Sequence, residues 1–163
     1  MTNDFEAKDS ILGILRSAIN IEKFGIRYYQ SLMTVVEDVT GKEMLEYLIN
    51  AEAKHQSYLE QEYDKQKAFG MDSLKQLPLD NLDDEGRLAI FAEQLEEYKP
   101  EDVGIEAAIK FGINVEKRSI AFYSAAALLM HDLELKEKLN ELVKFEEEHL
   151  TLLEKNFNNF LNK

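Results

Sequence analysis

The sequence predicts an all-α protein, a four-helix bundle of two antiparallel hairpins joined by one long crossover. Three observations carry this. Apolar residues recur at three- and four-residue spacing over four long stretches. Short breaks at Thr40-Gly41 and His131-Asp132 split each pair of stretches, whereas roughly thirty residues separate the pairs, far more than a bundle loop needs. The second pair also repeats the first with a fixed offset: Ile19-Asn20-Ile21-Glu22-Lys23 answers Ile113-Asn114-Val115-Glu116-Lys117, and Leu45, Leu48 and Leu59 answer Leu139, Leu142 and Leu153.

The first helix is expected over about 10–38, with Ile11, Leu15, Ile19, Ile26, Met33 and Val36 along one stripe. Thr40-Gly41 supplies the turn. The second is expected over about 42–69 through Leu45, Leu48, Ile49, Leu59 and Tyr63, with Gly70 as its stop. Within the crossover, 70–101, the acidic run Asp80, Asp83, Asp84 and Glu85 favours a short helix over about 86–98, with Leu88, Phe91 and Leu95 on its apolar face. The third helix follows Pro100, over about 102–130, through Ile105, Ile109, Ile113 and Ile120. The fourth, about 134–160, carries Leu135, Leu139, Leu142, Val143, Leu153 and Phe157. At 163 residues the whole chain, 1–163, is expected to form one domain.

Composition excludes several classes of function. A net charge of −13 repels nucleic-acid phosphates and anionic membrane surfaces, so neither is an expected partner. No apolar run approaches the ~18 residues of a membrane span. The opening Met1-Thr2-Asn3-Asp4-Phe5-Glu6 lacks the basic and apolar regions of a secretory signal, so the chain is expected to be cytoplasmic and in mature form. With no cysteine there is no disulfide, no thiolate nucleophile, no iron–sulfur cluster and no Cys₄ metal site.

Six polar residues stand on stripes that should be apolar. Ile11, Leu15, Ala18, Ile26, Tyr29 and Met33 share a helical face with Glu22. Glu116 stands likewise among Ile109, Gly112, Ile113, Ile120 and Tyr123. Glu52 and His55 follow Leu45, Leu48 and Ile49; Glu146 and His149 follow Leu139, Leu142 and Val143. Each Glu-x-x-His places both side chains one turn apart on one face. One such glutamate plus a Glu-x-x-His on the next helix, used twice, is the donor set of a carboxylate-bridged two-metal centre in a helical bundle.

Charge supplies the reason. A buried, uncompensated carboxylate costs several kcal/mol, so four together would protonate or disrupt the core. No Lys or Arg lies on these stripes, whereas two divalent cations cancel four carboxylates. Imidazole ligands favour iron, manganese or zinc over calcium and magnesium, and two iron ions are the expected cofactor, with Mn or Zn as alternatives. In such a centre Glu22 and Glu116 are terminal ligands, Glu52 and Glu146 bridge, and His55 and His149 bind one metal each. A lone glutamate on an apolar stripe is often a snorkelling edge residue, and a lone helical histidine is usually not a ligand. Here two of only three histidines complete the repeated pattern. Tyr29 and Tyr123, two turns beyond Glu22 and Glu116, are expected either to hydrogen-bond ligand carboxylates or to fill the core. Asn20 and Asn114, off the ligand face, are expected at the surface or between helices, and Glu147, Glu148 and His131 at the surface.

These residues resemble the rubrerythrin branch of the ferritin-like superfamily. The resemblance is carried by Ala18-Ile19-Asn20-Ile21-Glu22 with Tyr28-Tyr29, Glu52-Ala53-Lys54-His55, Glu116 with Phe122-Tyr123, and Glu146-Glu147-Glu148-His149. It covers nearly all of the four helices and implies a ferritin-like four-helix bundle holding a di-iron centre. The activity it implies is a non-haem di-iron oxidoreductase, peroxidase- or ferroxidase-like, that reduces hydrogen peroxide or O₂ in the context of oxidative stress. It further implies an external electron-donor protein and a homodimer. Two departures bear on turnover. The rubredoxin-like Cys₄ domain of full-length rubrerythrins is not expected in this chain. Ser119 stands where many rubrerythrins carry an additional glutamate, and serine cannot replace a carboxylate ligand. The alternatives are a non-enzymatic iron carrier, sensor or storage-related protein, and a purely structural or partner-binding bundle.

Overall fold

A computed structural model describes residues 11–68 and 103–161, and among them the backbone forms four helices and no strands. These are α1 (Ile11–Met33), α2 (Val39–Ala68), α3 (Ile105–Leu129) and α4 (Leu133–Leu161). The expected crossover over 70–101, its short helix over 86–98 and the stop at Gly70 lie outside the described residues. None of the helices is long and apolar enough to cross a membrane.

Helices α1 and α2 pair closely, as do α3 and α4, so the two hairpins form as expected. Cross-contacts fix their relative direction. Arg16 at the start of α1 donates to the Tyr63 hydroxyl near the end of α2 at 2.9 Å, and Lys65 reaches Glu134 at the start of α4 at 3.5 Å. At the opposite end Tyr28 donates to the Ala108 carbonyl, joining the end of α1 to the start of α3. Ala68 and Ile105 therefore stand at opposite ends of the bundle, which is why the linking chain needs its length.

The first turn differs from expectation. Thr40-Gly41 lies inside α2, and the link is Thr34 to Asp38. The end of α1 tightens through three-residue hydrogen bonds, Thr34 N–H to the Ser31 carbonyl and Val35 N–H to the Leu32 carbonyl, both 3.1 Å. Val36 is buried beneath it. Asp38 then caps α2, its carboxylate accepting from the Gly41 N–H at 2.6 Å. At the second turn Asp132 repeats the device, accepting from Leu135 N–H at 2.8 Å.

Gly41 serves packing. A Cβ there would meet the Phe160 ring at 2.9 Å and Val36 Cγ1 at 3.0 Å. Gly41→Ala is expected to destabilise the fold by about 1 kcal/mol net, since overpacking costs about 1–3 kcal/mol and better helix propensity returns roughly 1 kcal/mol. A thermal melt would check it; a raised midpoint would show that Phe160 swings aside freely.

The buried face of α3 is also rotated from the expected stripe. Ile113 and Ile120 are only half-buried, while Ala108, Gly112, Val115, Ser119, Phe122 and Ala126 face inward. Small residues matter here because α1 comes close: a Cβ on Gly112 would stand 3.0 Å from the Tyr28 ring.

The core is divided into two apolar clusters. One holds Leu15, Ala18, Leu59, Phe122, Tyr123, Leu139 and Leu142. The other holds Phe24, Tyr28, Tyr29, Leu48, Val115 and Leu153. On every helix the residues between the two clusters include the glutamates and histidines of the repeat: Glu22 on α1, Glu52 and His55 on α2, Glu116 on α3, Glu146 and His149 on α4.

Candidate metal centre

All six of those side chains are buried. Glu22, Glu116, Glu146 and His149 are each 1 % exposed, Glu52 3 % and His55 8 %. Helical geometry alone accounts for this, because each occupies a position that continues an inward stripe of leucine, isoleucine or tyrosine. Lys23, Lys54, Lys117 and Lys144 are exposed, so no ammonium group enters the layer.

The six residues converge into two overlapping groups. Glu22, Glu52, His55 and Glu146 each place a donor atom within 4.8 Å of the others, and so do Glu52, Glu116, Glu146 and His149. Glu52 and Glu146 belong to both. The histidines present Nδ1: that of His55 lies 3.4 Å from Glu22 Oε2, 3.2 Å from Glu52 Oε2 and 3.5 Å from Glu146 Oε1. That of His149 lies 3.5 Å from Glu52 Oε1 and 3.4 Å from Glu146 Oε2. The two imidazoles stack with centroids 5.7 Å apart.

Tyr29 and Tyr123 cross the bundle. The Tyr29 hydroxyl on α1 donates to Glu116 Oε1 on α3, and the Tyr123 hydroxyl on α3 donates to Glu22 Oε1 on α1. Each tyrosine thus engages the carboxylate of the opposite hairpin. Neither supplies a hydrogen bond to Oε2: Glu22 Oε2 and Glu116 Oε2 are buried without one, as are Glu146 Oε1 and His149 Nδ1. The charged neighbours of Glu22 Oε2, Glu146 Oε1 and His149 Nδ1 stand at ion-pair rather than hydrogen-bond geometry. Four buried polar atoms without a hydrogen bond, all in one layer, fit a pair of cations. Ser119 contributes nothing to this layer. It is buried, and its hydroxyl donates to the Val115 carbonyl at 3.1 Å.

Electrostatics reflect the crowding. Burial, reinforced by the charges of Glu52 and Glu146, pushes the Glu22 carboxyl well above the usual carboxylate range. Burial and the Glu146 carboxylate do the same to Glu116. Burial would also raise Glu146, but contacts with His149, His55 and Glu116 outweigh it and hold that carboxyl low. Burial disfavours charge on the imidazoles as well, yet the surrounding carboxylates push His55 up to about 12 and His149 up to about 11. Burial and Glu22 also raise the Tyr123 phenol, keeping it a donor.

Tyr123→Phe removes the hydrogen bond that orients Glu22. Metal affinity is expected to fall roughly tenfold, the lower end of the effect of losing such an outer partner. Titration with Co²⁺ would check this, and an unchanged affinity would mean that packing alone holds Glu22.

Two buried polar residues were not anticipated. Glu62 and Gln66 lie inward on α2, with Gln66 Nε2 donating to Glu62 Oε1 at 2.6 Å. Their spacing of four was the available signal, but a Glu–Gln pair at that spacing occurs equally on exposed helices. Asn20, Asn114, Glu147, Glu148 and His131 are exposed, as expected.

No curated protein and no solved structure gives a match to this chain. The family model for rubrerythrin does match, over residues 13–156, a span that runs from the first turns of α1 nearly to the end of α4 and takes in all six side chains of the buried layer. The chain is therefore a member of the rubrerythrin family, with the ferritin-like four-helix fold that goes with it.

Proposed function

We propose that this protein is a di-iron oxidoreductase that reduces hydrogen peroxide, or O₂, by two electrons, with electrons returned by a separate donor protein. The observation that carries this reading is the pair of buried donor groups sharing Glu52 and Glu146. Glu22 with His55 would hold one metal and Glu116 with His149 the other, with Glu52 and Glu146 shared between the two donor groups. When bound, two iron ions supply the two electrons, each passing from the ferrous to the ferric state. Hydrogen peroxide takes up those electrons and two protons to give two waters. The protein's part is positional. Tyr29 and Tyr123 hold Oε1 of Glu116 and Glu22, leaving Oε2 of each for the metal. The leucine-rich clusters on either side exclude water from the layer.

Ser119 favours a second reading, an iron carrier, sensor or storage-related protein. Its hydroxyl is turned to the helix backbone, so Ser119 offers no seventh donor to the layer.

Anaerobic loading with Fe²⁺ followed by peroxide separates the two. Two irons per chain, oxidised rapidly and re-reduced over many cycles, support the oxidoreductase. Tight iron with slow, single-turnover oxidation supports the carrier. Iron content near zero overturns both. The same experiments with O₂ in place of peroxide identify the preferred oxidant, and sedimentation of the loaded protein tests the proposed homodimer.

A further inference from the structure

The buried layer is not equally sealed on all sides. His55 is the most exposed of its six members, and among the described residues one of the rings packed on it is itself partly exposed. Phe145 of α4 lies over the His55 imidazole, centroids 5.1 Å apart and planes 37° apart. Phe145 is itself 43 % exposed, so one side of the ring is open to solvent while the other rests on the buried layer. It stands one residue before Glu146, so it projects from the helix edge where α4 faces α2. Packing between these two helices is much sparser than within either hairpin. A groove on the same α2–α4 face is lined by Met44, Tyr47, Lys144, Glu147, Glu148 and Leu152. Two carboxylates against one ammonium make its mouth more attractive to cations than to anions. The internal repeat breaks at this point: the counterpart of Phe145 on the first hairpin is Ala51. No second ring guards the layer from that hairpin's equivalent position.

We propose that Phe145 is the movable cover of the metal-entry path, and that divalent cations enter and leave the buried layer past its ring, beside His55. A half-exposed ring resting on an imidazole can swing into solvent by side-chain rotation alone, without separating helices. The competing routes, through either end of the bundle, lead across layers of leucine, isoleucine and tyrosine that are fully buried. Phe145 offers no donor atom to either group, so its role is kinetic: it sets how fast metal exchanges rather than how tightly it is held.

This inference rests on the six residues being metal ligands, and the test distinguishes the two claims. Apoprotein is mixed with Co²⁺ and binding is followed by its visible absorption; the loaded protein is then mixed with excess EDTA and extraction is followed. Phe145→Ala is expected to speed both binding and extraction, each by about threefold to tenfold, the factor that loss of an aromatic contact of this kind represents. The equilibrium affinity should change less than either rate. Phe145→Trp, a larger ring at the same partly exposed position, is expected to slow both. Leu128→Ala, an exposed apolar residue on α3 outside the groove, should leave both rates alone. Two Co²⁺ per chain with rates indifferent to residue 145 would overturn the entry path and leave the ligand assignment standing. Faster extraction without faster binding would also overturn it, because that pattern means Phe145 merely props His55. Failure of the wild-type protein to bind Co²⁺ would overturn the ligand assignment, and the entry path with it.

Discussion

Glu52→Ala is expected to reduce bound metal from two ions per chain to less than one. Glu52 is one of two residues common to both donor groups, so on the proposed assignment its removal takes a ligand from each site at once. Losing an outer partner of a ligand already costs up to about a hundredfold in affinity; losing a shared ligand should cost at least that. The apoprotein, by contrast, stays folded. Glu52 adds to the burial that raises Glu22, so its loss relieves repulsion in the layer, while the space left by truncation acts the other way. The two effects oppose, and the net change is expected to stay within about 2 kcal/mol. Metal analysis and circular dichroism on the same samples decide the matter. Glu147→Ala is the control, an exposed carboxylate next to Glu146 whose loss should change neither quantity. Unchanged metal content in Glu52→Ala would refute the bridging role outright.

The buried layer was legible in the sequence for a specific reason. A carboxylate at position 22 or 116 contradicts the apolar stripe around it, and the same contradiction recurs one helix later with histidine at the proper spacing. Periodicity then fixes which face these side chains take, and the internal repeat fixes that there are two sets. What periodicity cannot supply is anything decided between helices. Thr40-Gly41 looks like a turn because Gly ends helices, yet Gly41 is needed where Phe160 arrives from α4. The inward face of α3 is set by how close α1 approaches at Gly112, which rotates Ile113 and Ile120 outward. The crossing of Tyr29 to Glu116 and Tyr123 to Glu22 depends on which helices are neighbours, and so does the resting place of Phe145 on His55.

Acidity should weaken metal binding steeply. In the metal-free protein the carboxylates around them keep His55 and His149 protonated up to about 12 and about 11, and burial keeps Glu22 and Glu116 protonated well above the usual carboxylate range. A cation can bind the imidazole Nδ1 only by displacing its proton, so filling both sites releases at least the two imidazole protons. The overall constant for loading the pair is then expected to fall about a hundredfold for each pH unit lowered across the neutral range. Calorimetry in buffers of different ionisation heat counts the released protons directly. The same shifts fix how the apoprotein responds. For His55, His149, Glu22 and Glu116 the folded state holds protons more tightly than the unfolded chain. Their contribution is therefore complete below the unfolded values, 4.5 for the carboxyls and 6.5 for the imidazoles, and is lost as pH rises through the folded ones. Glu146 runs the other way: held low in the fold, it contributes above 4.5 and loses that contribution as pH falls. The apoprotein should thus be most stable close to pH 4.5, where the rising contribution of Glu146 gives way to the falling one of Glu22 and Glu116, and melt at progressively lower temperature toward pH 9. The loaded protein should show the opposite trend over that range, because its ligands are already deprotonated and its metal binds more tightly as protons become scarce. Parallel melting curves for the two forms, together with no proton release on loading, would mean that the layer is neutralised by something other than metal.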